Sequence, residues 1–185
     1  QVYDGYVVAQ AVRERYPDLP IIWGGWFPSV IPEMYLEANI ADAVCIGQGE
    51  IAFLEIVQAL ESGEDLANIP GLAVQRDGRT VYTDHREVVG FDKFQPVPWH
   101  LLEYERYAEL QLQPTQKKVR HRFPLPGHWT PENPPRAFSH FSSFGCPEPC
   151  TFCCSPAITG RRWKAIPGKQ LAEEIAELQA RFKFD

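Results

Sequence analysis

Basic residues are in short supply: 18 lysines and arginines stand against 24 aspartates and glutamates, for a formal charge of −6. No basic stripe offsets this, so the electrostatic footprint of a nucleic-acid binder is lacking. Arg161, Arg162 and Lys164 form only a small local cluster. Long hydrophobic runs are absent too, and nothing approaches the roughly 20 apolar residues of a membrane span. The opening residues lack the charged-then-apolar pattern of a secretory leader. Disulfide frameworks need evenly shared cysteines, yet four of the five here crowd one loop. That crowding suits a metal site in a reducing compartment. A soluble cytoplasmic protein without nucleic-acid or membrane partners is therefore expected. Repeats and low-complexity tracts are also missing.

Secondary-structure signals fill most of the chain. Residues 4 to 16 carry Val7, Val8, Ala11, Val12 and Arg15 at helical spacing, and Pro17 stops them. "LPIIWGG" (19–25) reads as a short buried strand ending in a glycine pair. "MYLEANI" (34–40) suits a short helix after Pro32, and "DAVCIGQGE" (42–50) a second strand running into a glycine loop. From Glu50 to Ser62, Ile51, Phe53, Leu54, Val57 and Leu60 mark an amphipathic helix with Gly63 as its C-cap. Alternating helices and strands with short loops imply a doubly wound parallel sheet. "GLAVQRDGRTVYT" (71–83) then alternates around Asp77-Gly78, a hairpin signal, and reads as a small β appendage closing the sheet's edge.

Ten of the 17 prolines fall between Pro96 and Pro149. Residues 91 to 135, with "FPLPGHWTPENPPR", read as an ordered inter-domain crossover. "RAFSHFSSFG" (136–145) reads as a strand, and Leu171, Ile175, Leu178 and Phe182 share one face of a later helix. Strand, loop and helix in that order is how a β/α barrel begins. The chain opens on Gln1 inside a helical pattern and closes on "ELQARFKFD", so both ends are expected to be interior to a longer protein.

The cysteines themselves, in "GCPEPCTFCC" (145–154), are spaced C-x-x-x-C-x-x-C at Cys146, Cys150 and Cys153, with Cys154 adjacent. An iron–sulfur cubane needs thiolates converging from a curled loop. Zinc usually takes a second ligand pair, for which Cys45 and the scattered His85, His100, His121, His128 and His140 are poor candidates. A disulfide between Cys153 and Cys154 would be strained. Cluster ligation, zinc and unligated thiols are the readings the residues leave open, the first favoured. Three ligands would leave a cubane's fourth iron open to substrate or cofactor.

With Phe152 just before the last cysteine, this loop resembles the C-x-x-x-C-x-aromatic-C motif of the radical S-adenosylmethionine (SAM) superfamily. The resemblance implies a [4Fe-4S] cluster on Cys146, Cys150 and Cys153. It implies SAM chelated to the open iron, with Phe152 beside the adenine, and one-electron cleavage to a 5′-deoxyadenosyl radical. Cys154 lies outside the motif. An electron donor such as flavodoxin or ferredoxin is implied as a partner. In "GRRWK" (160–164), Arg161 or Arg162 would meet an anionic group, or the segment is a solvated turn with Trp163 packed on the barrel.

Upstream, a strand ending Gly24-Gly25 with Pro28, Ser29, Pro32 and Glu33 precedes a strand ending Ile46-Gly47-x-Gly49-Glu50. In open parallel sheets, ligands bind at the carboxyl edge, where glycine admits close approach. Neither loop is a phosphate loop. Together with the cysteine loop, they look like the cobalamin-binding domain preceding many radical SAM cores. In that family such loops line the cleft for the cobalamin's lower face and nucleotide tail. Trp26-Phe27 stand where a small residue and a histidine are often found, and Gln48 replaces an acidic or small residue. The implied cobalamin contacts are Gly24, Gly25, Trp26, Phe27, Pro28, Ser29, Gly47, Gln48, Gly49 and Glu50.

The expected fold class is α/β: part of a doubly wound, Rossmann-like cobalamin-binding sheet followed by the start of a radical SAM β/α barrel. The expected domains are 1–90 (cobalamin-binding, with the hairpin), 91–135 (crossover) and 136–185 (start of the radical SAM core). The implied function is a cobalamin-dependent radical SAM enzyme performing C-methylation or related radical chemistry, such as cyclisation, on a small-molecule or tetrapyrrole-like substrate. The alternatives are a radical SAM enzyme whose Rossmann-like domain binds no cobalamin, and a non-enzymatic metal- or cobalamin-binding fragment.

Overall fold

The computed structural model describes residues 2–94, 97–111 and 138–184. Most of the proline- and aromatic-rich crossover lies outside these residues, including "FPLPGHWTPENPPR", His121 and His128. The chain divides into two compact units, one of residues 1–94 and 143–164, the other of 95–142 and 165–185.

The first unit is built on a four-stranded sheet whose strands lie side by side in chain order. Helix α1 (Val2–Arg15) ends two residues before Pro17, whose ring and missing N–H cannot continue it. Strand β1 (Ile22–Trp23) pairs in parallel with β2 (Ala43–Cys45), Ile22 opposite Ala43 and Trp23 opposite Val44. Between them lie two single-turn helices, α2 (Trp26–Val30) and α3 (Glu33–Leu36), the latter started by Pro32. Helix α4 (Gly49–Ser62) follows and is closed by Gly63, whose N–H bonds Ala59 O. The hairpin then adds β3 (Leu72–Arg76) and β4 (Arg79–Tyr82). Asp77 and Gly78 both take left-handed φ, +49° and +74°, as a two-residue turn requires. Because β3 runs antiparallel to β2, with Val44 opposite Ala73, the sheet is mixed and the hairpin extends it directly.

Period-two alternation sends side chains to both faces of this sheet, and each face is covered. Ala43 and Cys45 of β2, with Leu72 and Val74 of β3, pack on Ala52, Ile56 and Ala59 of α4. Val44 and Ala73 point the other way, onto Ala9 of α1 and the Tyr35–Ala41 segment. The α4 face differs from the one expected. Phe53, Leu54, Val57 and Leu60 stand 37 to 57% exposed, while the small residues Ala52 and Ala59 flank Ile56 against the sheet. The helix is apolar on most of its surface, and close approach to a strand selects alanine.

Strand β5 (Ser143–Gly145) pairs with β6 (Trp163–Ala165), and between them the cysteine loop leads into α6 (Ser155–Thr159). In the second unit, α5 (Tyr104–Gln111) and α7 (Gly168–Phe182) share an aromatic core. Tyr104, Leu178 and Phe182 are buried there with Trp99, Leu102, Phe138 and Phe184 packed around them. Of the expected α7 face, Leu178 and Phe182 are buried and Ile175 is 41% exposed. His140 lies beside Trp99 and 3.4 Å from Glu174. The α/β class read from the sequence is the class observed.

Candidate functional site

The cysteine loop hangs between β5 and α6. Gly145, immediately before Cys146, has φ +81°, and a Cβ there would overlap the carbonyl oxygen of Arg162. Only glycine lets strand β5 turn into the loop so close to the returning chain. Cys153 N–H bonds Cys150 O at 3.2 Å, curling the second half. Ser155 N–H points at Cys153 Sγ, 3.4 Å away. The carbonyl of Cys154 accepts from Ala157 and Ile158 N–H and so starts α6.

All five cysteines are free: Cys45 is buried, Cys146 half-buried, and Cys150, Cys153 and Cys154 exposed. Phe152 offers an almost bare ring, 91% exposed. Among the described residues, no three His, Cys, Asp or Glu side chains are gathered as a metal site. The donor chemistry nevertheless fits a cluster: three unpaired thiols on one curled loop, one of them already receiving a backbone N–H of the kind that tunes cluster sulfurs.

The glycine loops sit at the carboxyl ends of β1 and β2. Gly25 (φ +98°) precedes α2, and Gly47 (φ +82°) requires its left-handed backbone although a Cβ there would meet Ile158 O at an ordinary 3.7 Å. Ser29 Oγ donates to Gly25 O at 2.7 Å and accepts from Gly47 N–H at 3.1 Å, tying the two loops together. Gln48 is buried, and its amide fixes Val89 twice: Oε1 accepts from Val89 N–H at 2.7 Å, and Nε2 donates to Val89 O at 3.3 Å. The polar atoms of Ser29 and Gln48 are thus engaged in shaping the loops. Glu50 lies in the first turn of α4, and Gly49 sits over Cys45 Sγ.

The two motifs meet. Trp26 stacks on Phe144, two residues before Cys146, with ring centroids 6.0 Å apart and planes 19° off parallel. Phe27 turns its edge to Tyr35 instead, at 6.5 Å. Helix α2 packs against α6, and Gly47 lies against Ile158. Pro28, within α2, is buried. A cavity of about 410 Å³ opens beside it, lined among others by Ser29, Gly47, Gln48, His85, Glu87 and Ile158. That volume is within the range of small-molecule sites. Arg162 pairs with Glu87 at 2.9 Å, and the hydrogen bond and charge of Arg162 hold the Glu87 carboxyl below its ordinary range. Arg161 turns to the loop, its Nε 3.2 Å from Pro147 O, and Trp163 is 54% exposed rather than packed.

Sequence reasoning did not single out Phe144, Gly145, Ile158, Glu87 or Val89. A glycine touching the first cysteine was visible in the quoted loop. Nothing in one dimension pointed to Val89 or Glu87.

No family model matches the sequence. Over 179 residues, 96% of this chain and 34% of the other, it is 27% identical to an uncharacterized methyltransferase of Pyrococcus horikoshii. It is 26% identical over 168 residues, 90% of this chain and 29% of the relative, to an anaerobic magnesium-protoporphyrin IX monomethyl ester cyclase of Synechocystis. A 76-residue stretch, 40% of this chain and 11% of the relative, is 33% identical to the cobalamin-dependent radical SAM methyltransferase TokK of Streptomyces tokunonensis. Among solved structures, the radical SAM methyltransferase TsrM of Kitasatospora setae, determined with cobalamin and a [4Fe-4S] cluster, superposes with a TM-score of 0.60 at 22% identity, covering 94% of this chain and 31% of that one. The fold is therefore shared with a segment of that structure. The chain is thus similar over most of its length to an uncharacterized methyltransferase and to a cyclase, and over part of it to a cobalamin-dependent radical SAM methyltransferase, and it spans about a third of the length of the first curated relatives it matches.

Proposed function

We propose that this chain is the portion of a cobalamin-dependent radical SAM enzyme in which the two cofactor-binding loops meet. The observation that carries this reading is the packing of both motif-bearing loops in one compact unit, with Trp26 on Phe144 and Gly47 on Ile158. Cys146, Cys150 and Cys153 would hold the [4Fe-4S] cluster, with Phe152 as a stacking face for the adenine of SAM. Gly24, Gly25, Gly47 and Gly49 would give the corrinoid backbone to lie against, and the cavity beside Gly47 would take its nucleotide tail. Trp26, Phe27 and Pro28 would form the wall of that cleft. Ser29 and Gln48 would act by holding its loops, and Glu50 by standing at its rim.

When bound, the cluster supplies the electron that splits SAM and the corrinoid supplies a methyl group. The chain's own part is to orient both and to keep water from the space between them. Electrons would come from a flavodoxin- or ferredoxin-type donor, and the substrate would be a small molecule, methylated at carbon or cyclised. The test is anaerobic reconstitution of the complete protein with iron and sulfide, followed by cobalamin and desalting. A visible iron–sulfur absorption that is lost in the Cys146, Cys150 and Cys153 to alanine triple variant, with corrinoid retained, is the expected outcome. Stoichiometric zinc without sulfide would refute the reading. A cluster without retained corrinoid would favour a radical SAM enzyme that binds no cobalamin.

A further inference from the structure

We infer that Arg161 is the positioning residue of the cysteine loop: it clasps the segment between the first two thiols and places a positive charge beside them. The inference rests on the cluster reading above. Between Cys146 and Cys150 the chain runs Pro147-Glu148-Pro149, so Glu148 has the one N–H in that stretch. Such a segment has little with which to fix itself, and its carbonyls need donors from elsewhere. The Arg161 guanidinium supplies one through Nε, 3.2 Å from Pro147 O.

The backbone aims that side chain. Gly160 and Arg161 are both left-handed, φ +60° and +61°, reversing the chain at the end of α6. A positive φ at a long side chain is uncommon, and it persists only where the surroundings hold it. One residue on, the Arg162 carbonyl lies against Gly145, and the Arg162 guanidinium is anchored by Glu87. The returning turn therefore touches the loop on both sides of Cys146. Arg162 is neutralised by its carboxylate, whereas Arg161 has no carboxylate partner among the described residues. Its charge is left at Pro147, inside a loop that carries four thiols, where thiolates and cluster sulfides would concentrate negative charge. A lysine would keep the charge and lose the planar fork.

The test compares the complete protein with its Arg161→Ala and Arg161→Lys variants. In cluster-free protein, backbone hydrogen exchange across residues 146–150 should be several-fold faster in Arg161→Ala, as read by mass spectrometry, because the clasp on Pro147 O is lost. In reconstituted protein, iron should leave to a chelator about tenfold faster, the scale of one charge-assisted hydrogen bond. The cluster's reduction potential should move negative, because a cation stabilises the more anionic reduced state. Arg161→Lys should hold the potential near wild type while releasing iron at an intermediate rate. Because Arg161 is exposed, melting midpoints should not change. Wild-type rates and potential in Arg161→Ala would overturn the inference alone. A wild-type protein that takes up no cluster would overturn the functional reading, and the exchange rates would still decide whether Arg161 holds the loop.

Discussion

Gly145 leaves no room for a side chain, because the Arg162 carbonyl occupies the place of its Cβ and φ is +81°. Gly145→Ala should therefore destabilise the chain by about 2 kcal/mol through strain and displacement. Thermal denaturation would show it, and an unchanged midpoint would contradict the geometry. Tyr82 offers a pH test. Its phenol, partly desolvated where it donates to the Glu33 carboxylate, is pushed up to about 12. A pKa raised above the unfolded value of 10.0 contributes stability that is complete below pH 10.0 and lost as pH climbs through about 12. Tyr35, raised by burial, titrates late as well. In a phenolate absorbance titration, Tyr82→Phe should remove one tyrosine's worth of the late component. Thiol labelling separates the cysteines similarly: Cys45 is buried, which raises its pKa, and should resist iodoacetamide while the loop thiols react.

Among the elements, the hairpin was legible because Asp77-Gly78 fixes a turn by local backbone preference alone, between two alternating strands. Helix α4 was legible as a helix but not in orientation. Periodicity weights large apolar residues, whereas contact with β2 is made by Ala52 and Ala59 around Ile56. Ile56→Ala should accordingly destabilise by about 2–5 kcal/mol, and Leu54→Ala on the outer face by well under that, in denaturant titrations. The resemblance implies a cobalamin contact at Gln48 from its place in the glycine loop, and its amide is also matched to Val89, 41 residues later. Gln48→Ala should leave a Val89 N–H unpaired at a loss of about 1–3 kcal/mol, with Gln48→Glu, which keeps the acceptor, falling between.

For the whole chain, sheet and cysteine loop are separable in energy. The core lies between the sheet and its helices, and the motif thiols belong to no buried cluster. Replacing Cys146, Cys150 and Cys153 by alanine should leave far-UV circular dichroism and the melting midpoint close to wild type. A collapse of either would give the thiols a structural role. Sequence spacing was enough to group those cysteines, since they share one short loop. It was not enough to join them to the glycine loops, because more than 100 positions separate Trp26 from Phe144 and only the folded chain stacks them. That stack also governs which replacements the two positions accept. In a library varying both, fitness at one should depend on the occupant of the other: losing the second ring after the first should do less harm than losing it from the intact pair. Position 26, a variable slot when viewed along its own loop, thereby becomes epistatic with the strand that carries the first cysteine.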